Sequence, residues 1–157
     1  MNIELIVQDL YEPSVVTEAT WVAWFENWLS TPGLELPPAE SYEVSLRLTT
    51  DAEIQALNAQ FRQKDQPTDV LSFAALEVDF PQIEEDIAES SLYLGDIIIS
   101  VETASRQRAE HGYSLVKELA WLASHGLLHL LGWDHPDEAS LTAMLDRQET
   151  FLVNSGL

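Results

Sequence analysis

The sequence contains no cysteine among its 157 residues, which excludes disulfide bonds and any metal site that uses thiolate ligands. No apolar run approaches the roughly eighteen residues that a membrane-spanning helix needs. The N-terminal residues Met1 to Val7 lack the basic segment of a secretory signal and alternate like a β-strand instead. Together these absences favour a cytoplasmic protein.

Basic residues are also scarce. Only 7 lysines and arginines stand against 27 aspartates and glutamates, which gives a formal net charge of −20. Such a field repels nucleic acid over most of the surface, because phosphate binding relies on cationic side chains that displace counterions. Any RNA-binding function therefore needs a local basic patch, drawn from Arg47, Arg62, Lys64, Arg106, Arg108, Lys117 and Arg147.

Length and a hydrophobic fraction of 46% fit a single domain over residues 1–157. Strands and helices are interspersed without regular βαβ alternation, so the predicted class is α+β. Thr50 to Glu53 has the pattern of a capping box, and the acidic residues 77–91 read as a mobile loop. Alternation and helical spacing predict strands at 1–8, 42–48, 70–75 and 92–100, and helices at 17–29, 50–60, 102–111, 114–131 and 136–154.

Three of the four histidines lie at the end of the most apolar predicted helix. His125 and His129 are one helical turn apart, so both imidazoles project from the same face. Gly132 is typical of a helix C-terminus, where its freedom at positive φ lets the chain reverse and bring His135 back towards that face. Three histidines on one ligand pattern favour a metal site over isolated core or surface histidines.

Three imidazole ligands leave a fourth coordination position open, as in catalytic zinc sites. The spacing equals that of the metzincin peptidases, but their general base, a glutamate after the first histidine, is replaced by Gly126. Three neutral imidazoles lower the pKa of a zinc-bound water to about 7 without that base. The pattern predicts a hydrolase with a metal-activated water and one zinc ion per chain, although nickel, copper and iron accept the same donors.

Two residues near this pattern have alternative interpretations. Asp134 could orient a ligand imidazole through a hydrogen bond, or it could cap the helix predicted to begin at Pro136. His111 precedes Gly112 at a predicted helix end, where it could pair with the last backbone carbonyls, and we assign it no catalytic role.

Residues 125–135, HGLLHLLGWDH, resemble the signature His-Gly-x-Leu-His-Leu-x-Gly-Tyr/Trp-Asp-His of the YbeY family of bacterial rRNA maturation factors. Residues 57–73, LNAQFRQKDQPTDVLSF, are similar to a second family motif, and residues 94–100, LGDIIIS, to a third. The three motifs occur in family order, and the resemblance spans about residues 40–155. The chain departs from many members in its acidity and in Ala74, which replaces a proline.

The resemblance implies a zincin-like fold, with a mixed four-stranded sheet and about five helices around a central ligand-bearing helix. It also implies a zinc-dependent, single-strand endoribonuclease that acts in 16S rRNA 3′-end maturation and in ribosome quality control. The implied partners are precursor rRNA and the small ribosomal subunit with its proteins, and neither DNA nor a membrane.

The motif match implies that His125, His129 and His135 are the zinc ligands, and that Arg62 corresponds to the functional arginine of the family. A guanidinium there can clamp a phosphate, or it can form a surface ion pair with Asp65. Lys64 is a candidate phosphate contact, or its side chain is simply solvated.

Two other functions fit the same residues. A metallopeptidase or another zinc hydrolase would use the same ligands, although Gly126 and the absence of a secretion signal argue against a peptidase. A ribosome-assembly factor that binds without cutting would use the metal to hold the fold, and the net charge of −20 agrees with a protein partner.

Overall fold

The computed structural model describes residues 2–75 and 91–157, and the acidic loop expected at 77–91 lies outside them except for Ser91, which begins a strand. Strands and helices follow the predicted order, with bounds that differ by a few residues. The elements are β1 (Asn2–Asp9), α1 (Glu18–Leu29), β2 (Ser41–Thr49), α2 (Asp51–Arg62), β3 (Val70–Ala74), β4 (Ser91–Ser100), α3 (Val101–His111), α4 (Leu115–Leu130) and α5 (Glu138–Asn154).

The four strands form one mixed sheet in the order β1-β2-β4-β3. Strands β1, β2 and β4 are parallel, whereas β3 pairs antiparallel with β4 and forms an edge of the sheet. The register places Ser72 of β3 opposite Ile97 of β4. The α+β prediction with a mixed four-stranded sheet is confirmed.

The main core lies between one face of the sheet and the helices α1, α4 and α5. Helix α1 contributes an aromatic stripe in which Trp21, Phe25 and Trp28 are fully buried. The Trp28 ring stacks on Phe151 of α5 with ring centroids 5.8 Å apart. Burial of such large rings supplies much of the hydrophobic stabilisation of a domain of this size.

Helix α4 is the central helix of this core, and it packs against β3, β4, α3 and α5. Its buried residues cover most of its circumference, which explains its continuous apolar sequence. Within residues 2–75 and 91–157, no helix is both long enough and apolar enough to cross a bilayer.

A second, smaller apolar cluster lies on the other face of the sheet, where α2 packs. It consists of Ile54 of α2, Leu71 of β3 and Ile98 of β4. Along β4, the neighbours of Ile98, Ile97 and Ile99, point to the other face and belong to the main core. This cluster holds α2 against β3 and β4, so the last residue of α2, Arg62, is held beside the edge strand.

Two capping predictions are wrong. Thr50 precedes α2, but its side chain makes no capping hydrogen bond, and the Glu53 carboxylate that would complete a capping box accepts from Arg47 instead, from Nε at 2.7 Å and Nη2 at 2.9 Å. A charged, two-point partner is stronger than the reciprocal cap. Helix α5 is capped by Asp137, whose carboxylate accepts the Ser140 amide at 2.8 Å, and not by Asp134.

Candidate metal centre

The structure brings the three predicted histidines together. One ring nitrogen of each lies within 4.8 Å of the others. Among the described residues, these histidines are the cluster of three or more His, Asp or Glu side chains that could hold a metal ion. The ring centroids of His125 and His129 are 4.5 Å apart, and the ring centroid of His135 lies 5.8 Å from that of His125 and 5.6 Å from that of His129. Zinc–nitrogen bonds of about 2.0–2.1 Å require such a convergence.

The turn after α4 explains how His135 reaches this cluster. Gly132 has a φ of 95°, and its amide donates to the His129 carbonyl at 3.0 Å. The Trp133 amide donates to the Leu128 carbonyl at 2.9 Å, which completes the paired bonds of a Schellman motif. Glycine is required at the left-handed position, as the sequence predicted.

Hydrogen bonds to the outer ring nitrogens orient two of the imidazoles. His129 Nδ1 lies 2.9 Å from the Trp133 carbonyl, which can only accept, so this nitrogen carries the proton. His125 Nδ1 lies 3.2 Å from Gln148 Oε1. The Gln148 amide nitrogen donates to the Trp121 carbonyl at 3.3 Å, which turns the amide oxygen towards His125. Both rings therefore carry their proton on Nδ1.

The inner nitrogens are then both lone-pair acceptors, and this property supports a cation at the site. His125 Nε2 and His129 Nε2 lie 2.9 Å apart. Two lone pairs at this distance repel each other unless a positive charge lies beside both. A divalent metal ion supplies that charge, so the donor set fits a metal bound through Nε2 of each ring.

The burial of His125 supports the same protonation state. Its pKa is lowered from the ordinary value, first because burial disfavours the charged form and then because His129 and His135 are close. The neutral ring is the form that binds a metal.

Gln148 is a member of the site that the sequence analysis missed. It is fully buried on α5, with Met144 one turn before it and Phe151 and Leu152 one turn after it on the same buried face. A lone glutamine at helical spacing within an apolar face requires a hydrogen-bonding partner, because an unpaired buried amide is unfavourable. That pattern was visible in the sequence, but the partner came from another helix.

Asp134 and His111 have other contacts than those predicted. Asp134 Oδ1 accepts the backbone amide of His135 at 2.8 Å, so it shapes the turn and makes no hydrogen bond to an imidazole. His111 Nδ1 lies 2.5 Å from the carboxylate of Glu118, which is fully buried. A buried carboxylate needs a partner, and His111 supplies it in place of pairing with the helix carbonyls.

A cleft of 710 Å³ opens over the histidines, and both predicted basic residues, Arg62 and Lys64, line it together with His125 and His129. Arg62 Nη2 donates to the Ser72 carbonyl of the edge strand at 2.8 Å, and the guanidinium lies 5.3 Å from the Phe73 ring centroid. The alternative ion pair with Asp65 is not formed.

Two other basic residues are paired with acidic side chains elsewhere. Arg47 pairs with Glu53, and Arg106 pairs with Asp51. Arg147, by contrast, lies 5.9 Å from the ring centroid of Trp133, a residue of the cleft wall. Three of the seven basic residues therefore lie at or next to the cleft.

Gly126 explains why the glutamate of the metzincins is replaced. A Cβ at this position would lie 2.8 Å from Ile97 Cγ2 and 3.0 Å from Ser72 Oγ. Helix α4 can approach β3 and β4 this closely because residue 126 has no side chain. A glutamate here would overlap the Ile97 and Ser72 side chains, which argues against a peptidase of the metzincin type.

A sequence model of the family described as endoribonuclease YbeY matches residues 7–156. The chain belongs to this family. Similar curated proteins named endoribonuclease YbeY include one from Nostoc, 60% identical over 94% of this chain and 79% of its own length. Another, from Cyanothece, is 52% identical over 100% of this chain and 95% of its own length.

The fold is similar to a solved structure as well. The solution structure of TM1509 from Thermotoga maritima matches with a TM-score of 0.61 and 26% sequence identity, over 97% of this chain and 89% of that one. The expected fold of the YbeY family is thereby confirmed for this chain.

Proposed function

We propose that the protein is a zinc-dependent, single-strand endoribonuclease that matures the 3′ end of 16S rRNA and acts in ribosome quality control in the cytoplasm. As a member of the YbeY endoribonuclease family, it is a hydrolase that acts on RNA. The observation that carries the mechanism is the convergence of the His125 and His129 lone pairs at the floor of a cleft that also contains a guanidinium.

His125, His129 and His135 would hold the zinc ion. Bound there, zinc would supply a Lewis acid and lower the pKa of a water molecule to about 7. The Trp133 carbonyl and Gln148 keep the His129 and His125 protons on Nδ1, so Nε2 of each ring stays available to the ion. The exposed His135 completes the set from the turn after α4.

Arg62 is positioned to bind the phosphate that is cleaved. One of its five N–H donors is used by the Ser72 carbonyl, and the Phe73 ring supports the guanidinium plane. The remaining donors can bind two phosphate oxygens and stabilise the charge that develops there during cleavage. Lys64 lines the same cleft and would add a second, weaker phosphate contact.

The distribution of charge explains how an acidic chain can act on RNA. Arg62 and Lys64 place two cations in the cleft and Arg147 lies beside it, so the acidic residues Asp69 and Asp134 of the cleft are balanced there, whereas the net charge of −20 repels phosphate over the rest of the surface. We therefore expect weak affinity for RNA alone, and further contacts from the small ribosomal subunit and its proteins.

Cleavage of a single-stranded fragment spanning the 16S precursor 3′ end, by the zinc-loaded protein, tests the proposal. We expect His129→Ala to abolish both bound zinc and cleavage. Arg62→Ala should reduce the cleavage rate by about 100- to 1000-fold while zinc stays bound, as for loss of a charge-stabilising donor. Arg108→Ala, which removes an equal charge from an exposed position of α3, should leave the rate unchanged.

Each contrary outcome has a distinct meaning. Equal cleavage by the wild type and His129→Ala would show a contaminating nuclease. An unchanged rate in Arg62→Ala would remove Arg62 from the mechanism. No cleavage by any preparation, with zinc bound, would favour an assembly factor that binds without cutting.

A further inference from the structure

Trp133 differs from the tryptophans of the core in its exposure and its position. Trp21, Trp24 and Trp28 are buried in the main core, whereas Trp121 of α4 and Trp133 are partly exposed, and Trp133 alone of these five lies on the turn after α4. Its side chain lines the metal cleft and also a second cavity beyond the turn. One ring therefore forms a wall common to both spaces.

The second cavity has a volume of 550 Å³ and lies between the segment after α1, the turn after α4 and helix α5. Gly132, Trp133 and Asp134 line both this cavity and the metal cleft, so the two spaces lie side by side with this turn between them. The apolar part of its wall consists of Leu36, Pro37, Leu131, Trp133 and Ala143. Such a wall suits a flat, weakly polar group.

The backbone of Trp133 is anchored at the metal centre, and its ring lies beside a cation. Its backbone carbonyl accepts the Nδ1 proton of His129, and the Arg147 guanidinium lies 5.9 Å from its ring centroid. A fixed aromatic ring with a cation next to it is the arrangement that proteins use to stack the bases of single-stranded nucleic acids. Because the Trp133 backbone is hydrogen-bonded to a histidine of the metal centre, a base stacked on the ring would lie close to that centre.

We propose that this cavity binds one nucleobase of the RNA strand whose phosphate lies over the metal centre, with the base stacked on Trp133. The inference rests on the proposed function and assigns to the same site a base-binding subsite. The strand would extend from the phosphate contacts of Arg62 and Lys64, across the histidines, to the turn at Gly132–Asp134.

Two carboxylates at the cavity wall indicate which bases bind best. Glu35 and Asp134 line the cavity, and ionised carboxylates only accept hydrogen bonds. One oxygen of Asp134 already accepts the His135 amide, which leaves the other oxygen and Glu35. Adenine, cytosine and guanine present amino groups to such acceptors, whereas uracil has no amino group and offers a single N3–H between two carbonyl oxygens, which the carboxylates repel. The subsite therefore prefers amino-bearing bases over uracil.

Binding of adenosine 5′-monophosphate and uridine 5′-monophosphate to the zinc-loaded protein tests the subsite. Indole N–H signals in NMR spectra report which tryptophan is contacted, and titration calorimetry gives the affinity. We expect the adenine nucleotide to shift the Trp133 signal, and Trp133→Leu to weaken its binding by about 5- to 100-fold. Trp133→Phe should keep part of the affinity, and the uracil nucleotide should bind more weakly to the wild type.

Tyr113 provides a matched control, because its ring is also partly exposed and has a cation, Lys117 Nζ, 4.4 Å from its centroid, but it lies outside both spaces. Tyr113→Leu should bind the nucleotide like the wild type. Ala143→Leu fills the cavity without changing Trp133, and it should weaken binding even if Trp133→Leu fails to fold. Bound zinc, measured in each variant, should stay at one ion per chain.

Equal affinity in the wild type, Trp133→Leu and Ala143→Leu would overturn the subsite, as would a shifted signal at another tryptophan. Cleavage assays separate this failure from failure of the proposed function. An unchanged KM for RNA in Trp133→Leu would overturn the subsite and leave the nuclease intact. Nucleotide binding through Trp133 without RNA cleavage would support the subsite and overturn the nuclease.

Discussion

Two polar clusters in this molecule are built from similar numbers of hydrogen-bonding groups, but they differ in whether their acceptors all have partners within the protein. The first surrounds Asp51 at the start of α2. One of its carboxylate oxygens accepts the Ser100 and Thr103 hydroxyls, both at 2.6 Å, and the other accepts Arg106 Nη2 at 2.8 Å. Both carboxylate oxygens of Asp51 meet donors within the protein, so this cluster is closed.

The second cluster surrounds the histidines and is closed on one side only. The outer nitrogens of His125 and His129 meet Gln148 and the Trp133 carbonyl, but their inner nitrogens face each other at 2.9 Å. The Asp51 cluster is complete as it stands, whereas the histidine cluster is complete only with a cation. A closed polar cluster is typical of a structural role, and a cluster that leaves acceptors facing one another indicates a ligand.

Removal of the metal is the strongest way to test this contrast. On the proposal that zinc binds the folded chain at this site, free zinc at about 1000 times its Kd should raise the free energy of unfolding by about 4 kcal/mol. Asp51→Asn should show the same increment, because its cluster makes no contact with the histidines. His129→Ala should show almost none. Urea unfolding with zinc and with a chelator measures all three.

A zinc increment retained in His129→Ala would place the metal elsewhere in the chain. An increment lost in Asp51→Asn would mean that the two clusters are coupled, which their separate hydrogen-bond partners contradict.

Much of the site could be predicted because its parts are local in sequence. His125, His129, Gly132 and His135 lie within one helix and the turn after it, where helical spacing and the left-handed glycine fix the geometry. The central position of α4 followed from its apolar residues alone. For these parts, short-range physics determines the structure.

The parts that were missed or wrong depend on residues distant in sequence. Gln148 reaches His125 from another helix, and the buried Glu118 takes His111 away from its own helix end. Glu53 follows the capping pattern, but Arg47 on the neighbouring strand binds it instead. A local pattern shows what a side chain can do, and tertiary packing decides which partner it meets.

Gln148 provides the next test, because it is the hydrogen-bond partner of the outer nitrogen of His125. Gln148→Met keeps the length and the apolar packing but leaves the Nδ1 proton of His125 without an acceptor. We expect zinc affinity to fall by about 10- to 100-fold, as for other residues that orient metal ligands. Competition with a chromophoric chelator measures the Kd directly.

Glu149→Met is the control, since it also replaces a polar side chain with methionine, at an exposed neighbour on α5, and removes a charge as well. Its zinc affinity should equal that of the wild type. Gln148→Glu keeps an acceptor for His125 and should recover most of the affinity lost in Gln148→Met. Equal affinities in all variants would mean that the metal alone orients His125.

The smallest expected effect concerns the Asp51 cluster, and its size depends on pH. Burial alone would raise the pKa of Asp51, but hydrogen bonds from Ser100, Thr103 and Arg106 outweigh it and hold the pKa below its ordinary value of 3.8. A lowered pKa in the folded state stabilises the fold at pH values above the unfolded pKa, and this stabilisation disappears as the pH falls towards the folded pKa. Asp51→Asn should therefore unfold more easily at neutral pH, by about 1–2 kcal/mol, and the gap to the wild type should narrow below pH about 4. A gap that stays constant between pH 7 and pH 3 would show that the Asp51 charge contributes nothing, and that the cluster depends on its neutral hydrogen bonds alone.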